Sequence, residues 1–208
     1  QVLAQSPQPL PVALDLHEEV FEVEVQVSDL HGRQEMRSIP VTAFRPDGAG
    51  PFPLLVLNHG RASAPEKRAK PLRFRHEQQV RYFVGKGFAV LVPTRVGYGQ
   101  ALTDAFDPES SGGCAQPRIE PMSMAASDQV LAVVAHARKL PYVDATRWWV
   151  AGQSVGGLTS VAPASRRPEG LQGGINFAGG TGGNPEGRPG RPCGAVQIAQ
   201  FWKARAAH

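Results

Sequence analysis

The chain of 208 residues is long enough for one α/β domain with a sizeable core and short for two. Its 41% hydrophobic and 19% charged residues are those of an ordinary globular protein, which excludes a disordered or fibrous chain. The net charge of +4 comes from basic residues scattered through 61–75, 138–139 and 166–167, a solvated surface rather than a nucleic-acid groove, and no apolar run approaches the roughly 20 residues that span a bilayer.

Residues 1–19 are expected to form an N-terminal extension, with 20–208 the folded domain. Val2-Leu3-Ala4 ahead of Gln5 offers the small residues that signal peptidase favours before its cut. The stretch 5–11 is then polar and proline-rich, like the start of an exported protein. A periplasmic or secreted location is expected, with a cytoplasmic one as the alternative.

Residues 21–27 alternate apolar and polar side chains, the pattern of a half-buried strand. A turn over 29–32 and a second strand over 39–44 make an antiparallel hairpin at a sheet edge. The apolar run 54–57 suits a strand covered on both faces. Residues 61–71 read as irregular. A helix is expected over 77–86, ended by Gly87, and a buried strand over 88–92. From 93 to about 121 runs a long excursion rich in Gly, Pro and Ser, in which Tyr98 and Phe106 either line a pocket or anchor the loop. Ser127 or a neighbour should cap the next helix, whose apolar face carries Val130, Leu131, Val134 and Ala137. His76 and His136 are expected at the surface of these helices.

A strand over 147–151, with Trp148 and Trp149 packed in the core, runs into a helix over 155–165 that Pro163 must kink or end. A strand over 174–177, a loop over 178–193 and a helix over 195–207 complete the order. The alternation predicts an α/β fold: a mostly parallel sheet with helices on both faces and the N-terminal antiparallel hairpin at its edge.

Cys114 and Cys193 are the only cysteines, too far apart in sequence for a paired metal site and without clustered His ligands. Each falls in a loop leaving the carboxyl end of a strand, so both loops rise from one face of the sheet. A disulfide between them is compatible with export, and two free thiols are the alternative.

The chemistry concentrates at Trp148-Trp149-Val150-Ala151-Gly152-Gln153-Ser154-Val155-Gly156-Gly157, an apolar strand running into a G-x-S-x-G turn. A turn that tight forces the serine into a strained backbone conformation. Side chains two positions either side would collide, and Gly152 and Gly156 occupy those positions. Ser154 then lies at a helix amino terminus, where main-chain N–H groups favour developing negative charge. The second element, Asn58-His59-Gly60-Arg61, ends the strand expected beside it. There His59 is read as fixing the loop by hydrogen bonds rather than as a catalytic group.

Together with Gly87-Phe88-Ala89-Val90-Leu91-Val92-Pro93, Tyr98-Gly99 and Ile175-Asn176-Phe177-Ala178-Gly179-Gly180, these motifs resemble the α/β-hydrolase superfamily, specifically its dienelactone hydrolase-like and related esterase members. The resemblance covers most of the chain. It implies hydrolysis of carboxylic esters, lactones, amides or thioesters without metal or organic cofactor. It makes Ser154 the nucleophile, with the backbone N–H groups of Val155 and Arg61 as oxyanion donors and His59 and Gly60 in the oxyanion loop. In that superfamily an acid and then a histidine follow the serine. Here no Asp follows Ser154, and the only later His is His208. Glu186 and His208 have the right order, but His208 ends the predicted terminal helix. The domain is therefore expected to be C-terminally incomplete, with its last strands missing and the 208 residues nearly inactive alone. A catalytically silent protein that binds a small ligand or partner is the alternative.

Overall fold

The computed structural model describes residues 12–62, 64–103, 106–114, 116–181 and 193–206. Six strands follow one another as β1 (Glu19–Ser28), β2 (Gln34–Phe44), β3 (Phe52–Asn58), β4 (Ala89–Pro93), β5 (Val143–Gln153) and β6 (Leu171–Phe177). They form one sheet in the order β1-β2-β4-β3-β5-β6. The hairpin β1–β2 is antiparallel and meets β4 antiparallel, while β4, β3, β5 and β6 run parallel. Asp29 Oδ1 closes the hairpin by accepting the N–H groups of His31 and Arg33.

The continuous apolar runs of the central strands bury both of their faces. Leu54, Val56, Ala89, Leu91, Trp148 and Val150 point to one layer. Leu55, Leu57, Val90, Val92 and Ala151 point to the other. This period of two is why strands in a sheet covered on both sides lose their polar alternation.

Among the described residues five helices flank the sheet: α1 (Pro65–Ala69), α2 (Glu77–Val84), α3 (Ile119–Ala137), α4 (Val155–Ala164) and α5 (Ala195–Ala206). α3 covers the first layer through Val130, Val133, Val134 and Ala137. α2 covers the other through Val80 and Val84. A third apolar cluster, including Ile119, Met122, Val155, Leu158, Ile198 and Phe201, joins α3, α4 and α5. Helices thus lie on both faces of a mostly parallel sheet, as the alternation of elements predicts. Among the described residues no helix is long and apolar enough to cross a membrane.

Several elements depart from expectation. α3 begins at Ile119, so Ser127 is a buried mid-helix residue and not a cap. Pro121 falls in the first turn, where its missing N–H costs no helical bond. α1 occupies part of the stretch read as irregular. Pro163 ends α4 one residue later, as its missing donor requires. Within the expected N-terminal extension, Leu14–Leu16 form a 3-10 turn whose Leu16 joins the core. There Glu18 is held by Arg73 at 2.6 Å and Arg75 at 2.5 Å.

Cys114 and Cys193 are joined in a disulfide. It ties the segment just before α3 to the segment leading into α5.

Candidate active site

β5 ends at Gln153 and α4 starts at Val155, so one residue makes the whole turn. Ser154 takes φ 58°, ψ −124°, a conformation that costs of order 1–3 kcal/mol for a residue with a side chain. Main-chain bonds compensate. The Ser154 N–H donates to Phe177 O at 3.1 Å, and Ser154 O accepts from Gly157, Leu158 and Gly180 N–H at 2.9, 3.2 and 3.1 Å.

The flanking glycines are required by contact. A Cβ on Gly152 would lie 2.2 Å from Gly156 O, and one on Gly156 would lie 2.4 Å from Asn58 O and 2.6 Å from His59 O. The same approach brings the Asn58-His59-Gly60 loop against the serine. A Cβ on Gly60 would stand 3.4 Å from Ser154 Cβ and 4.0 Å from its Oγ. Val155, as the first residue of α4, has an N–H with no intrahelical acceptor. The partner of Ser154 Oγ among the described residues is the Gly180 carbonyl, at 3.4 Å. A carbonyl accepts a hydrogen bond and cannot take the proton. Glu186 and His208 lie outside the described residues.

Arg61 places its guanidinium on Asp107, with Nη1 3.0 Å from Oδ1 and Nη2 2.5 Å from Oδ2. Its burial opposes the charge, but these bonds raise its pKa above the ordinary arginine value. Arg68 shares the same carboxylate at 3.3 Å.

Behind the loop sits a buried ion pair that sequence reasoning missed. Arg95 and Glu109 have side chains at 0% exposure and meet at 2.5 Å. Arg95 Nη2 also donates to His59 O at 2.9 Å, and Nη1 to Asn58 Oδ1 at 3.3 Å. Tyr98 OH donates to Glu109 Oε2 at 3.0 Å. An arginine two residues past the end of an apolar strand was the available signal, since a cation there has to find a buried anion.

His59 is fully buried, with Phe74 stacked on it at 3.7 Å and Tyr98 edge-on at 4.3 Å. His76 is not the surface residue expected. It caps α2 with φ 48°, stacks on Phe74, and buries its Nε2. His136 is half-buried and stacks on Phe21. Trp148 is wholly in the core, and Trp149 packs edge-on against Phe88. Tyr98 and Phe106 are each 1% exposed, so they anchor the long loop instead of lining a pocket. A cavity of about 460 Å³ lies beside the turn, lined by Leu57, Asn58, His76, Phe83, Gln153 and Phe177 among others.

Burial, then the Arg95 charge, holds His59 well below the ordinary imidazole range, and the same two causes lower His76. Both rings resist protonation in the fold more than in the unfolded chain, where an ordinary imidazole takes up its proton near about pH 6.5. Their contribution to stability is complete above that value and is lost as pH falls toward the folded values. Urea midpoints should therefore decrease from about pH 7.5 to about pH 5, before carboxylates such as Glu18 titrate. A midpoint constant across that window contradicts the buried neutral histidines.

No family model matches the chain, and no curated protein matches it. Solved structures do. The chain is similar to the dienelactone hydrolase-like promiscuous phosphotriesterase P91 from metagenomic libraries, with TM-score 0.52 and 17% identity over 79% of this chain and 61% of that one. It is also similar to an acylaminoacyl peptidase in complex with Z-Gly-Gly-Phe-chloromethyl ketone, with TM-score 0.50 and 13% identity over 90% of this chain and 35% of that one. The chain spans less than two thirds of the length of either protein.

Proposed function

We propose that this chain, which has the α/β-hydrolase fold, carries the nucleophile of a serine hydrolase acting on a small-molecule ester, lactone or amide. The observation that carries the reading is the backbone of Ser154, at φ 58° and ψ −124° between a buried strand and a helix amino terminus. A nucleophile must stand clear of the strand that presents it, and a backbone of this kind supplies the bend that does so. In this reading Ser154 Oγ attacks the substrate carbonyl carbon. The Val155 and Arg61 N–H groups hold the resulting oxyanion, the alcohol or amine leaves, and water resolves the acyl-enzyme.

The attack needs a group to take the hydroxyl proton. The only histidine after Ser154 is His208, outside the described residues, and among the described residues the Ser154 hydroxyl donates to the Gly180 carbonyl. An unassisted hydroxyl keeps only the oxyanion and binding contributions, so these 208 residues by themselves should turn over little substrate. The bond to Gly180 is also what favours the second reading, a silent protein of this fold that binds a ligand without cleaving it. The disulfide supports an exported protein, because such bonds persist in oxidising compartments.

The test is prolonged incubation with a fluorophosphonate, with the modified residue located by mass spectrometry, beside turnover of a short-chain p-nitrophenyl ester. The reading predicts slow stoichiometric modification of Ser154, absent in Ser154→Ala, with ester turnover no faster than that of the variant. Equal modification of Ser154→Ala would overturn it, and absence of any modification would favour the silent protein.

A further inference from the structure

The segment that follows β6 holds Ser154 through both its backbone and its side chain. The Ser154 N–H donates to Phe177 O, its carbonyl accepts the Gly180 N–H at 3.1 Å, and its hydroxyl donates to Gly180 O at 3.4 Å. The turn that brings Gly180 there is set locally. Ala178 takes φ 48°, and Asn176 Oδ1 accepts the Gly179 N–H at 2.7 Å. A hydroxyl has one proton to donate. While that proton points at a carbonyl, it cannot be shared with a base. At 3.4 Å the bond is long for a hydroxyl donor, so a small outward shift of Gly180 ends it. The next residue resists that shift. Thr181 Oγ1 donates to Cys193 O at 2.5 Å, and Cys193 is bonded through sulfur to Cys114.

We propose that residues 179–181 are an autoinhibitory latch on the nucleophile, pinned through Thr181 by the Cys114–Cys193 disulfide and released when that bond is reduced. The inference rests on reading Ser154 as the nucleophile, and it makes the Gly180 contact a reversible hold. The bond lies within reach of a reductant, since Cys114 is exposed and Cys193 half-buried. Exposed disulfides are the labile ones. A dithiol opens this one by two successive exchanges. The two cysteine sulfurs gain two electrons and two protons, and the dithiol leaves as its cyclic disulfide. The cysteines are 79 residues apart in sequence, so with the bond open no short stretch of chain ties Cys193 to Cys114. Thr181 then loses its fixed acceptor, Gly180 moves off, and the Ser154 hydroxyl is free to meet a base or an electrophile.

The test compares rates of Ser154 modification by a fluorophosphonate. The samples are oxidised wild type, wild type reduced with dithiothreitol, and two variants that keep the disulfide, Thr181→Val and Thr181→Ser. Hydrogen exchange at the Gly180 amide is followed in each. Thr181→Val should react about three- to tenfold faster than wild type, as the loss of one hydrogen bond from the latch allows, and Thr181→Ser at the wild-type rate. Reduction should speed the wild type at least as much and add little to Thr181→Val, because both changes act on one contact. The Gly180 amide should exchange faster wherever modification is faster. Unfolding does not imitate this result, since a serine in an unfolded chain has no oxyanion site to favour the reaction. Equal rates for Thr181→Val and wild type overturn the proposal. So does a rate unchanged by reduction, which means that the packing of α5 holds Cys193 without the bond. Both of these outcomes leave the nucleophile in place. Ser154 unmodified in every form, with Gly180 exchanging faster in Thr181→Val, strikes the nucleophile reading instead, and the inhibitory role of the latch falls with it.

Discussion

Gly156→Ala is expected to cost the chain at least about 3 kcal/mol of stability, the upper part of the range for forcing atoms into a packed interior. The added methyl group would lie 2.4 Å from Asn58 O and 2.6 Å from His59 O. Both oxygens are main chain at the end of a buried strand, and neither can swing aside as a flexible side chain would. β3 would have to part from α4, and its pairing with β5 runs through Asn58 and Gly152. Gly152→Ala should behave alike, since its methyl would meet Gly156 O at 2.2 Å. Gly113→Ala is the control, because a Cβ there meets nothing within 4 Å. Urea unfolding of the three variants decides the matter. Gly152→Ala and Gly156→Ala should lower the midpoint sharply or abolish the cooperative transition, with Gly113→Ala near wild type. An unchanged midpoint for Gly156→Ala would show that the strand-to-helix turn is looser than described.

Glu109→Gln should be nearly as severe, at about 3–5 kcal/mol, because it leaves the Arg95 charge buried without its counter-ion. Water cannot reach the guanidinium to replace the lost carboxylate. The amide still accepts a hydrogen bond from Tyr98, so hydrogen-bond loss alone does not account for an effect of that size. Arg95→Met with Glu109→Leu should lose less than the single change does, since no isolated charge then remains inside. The double variant nonetheless frees the His59 and Asn58 oxygens that Arg95 holds. Its residual loss reports what that clamp contributes to the loop. Unfolding of Glu109→Gln within about 1 kcal/mol of wild type would mean that the pair is wetter or weaker than its burial implies.

The fold was legible wherever a period was present. Alternation in β1, the two-faced apolar runs of β3 and β4, and the glycines around Ser154 each state a local geometry that the structure has. α3 was read from about Ser127 onward because its first turns carry Pro121 and the small residues Ser123, Ala125 and Ala126, which mask a helical apolar stripe. Ile119 and Met122 of the same turns are buried by packing with α4 and α5, an event between elements that no window along the chain contains. For the same reason Arg95 and Glu109 passed as loop polarity: each is ordinary by itself, and only the folded excursion brings them together. His76 was misplaced because helical spacing sets it at a helix start, while its left-handed backbone turns it inward. Ser154 stood out because both the strain and its relief are written in five consecutive residues.

The most direct test of the central claim is a crystal structure of the protein soaked with phenylboronic acid. The account predicts a covalent bond from boron to Ser154 Oγ, with one boronate oxygen within hydrogen-bond reach of both the Val155 and Arg61 N–H groups. The Gly180 carbonyl should be displaced from the hydroxyl it holds in the resting chain. Boron bonded elsewhere, or bonded to Ser154 with its oxygens turned away from both main-chain donors, would contradict it.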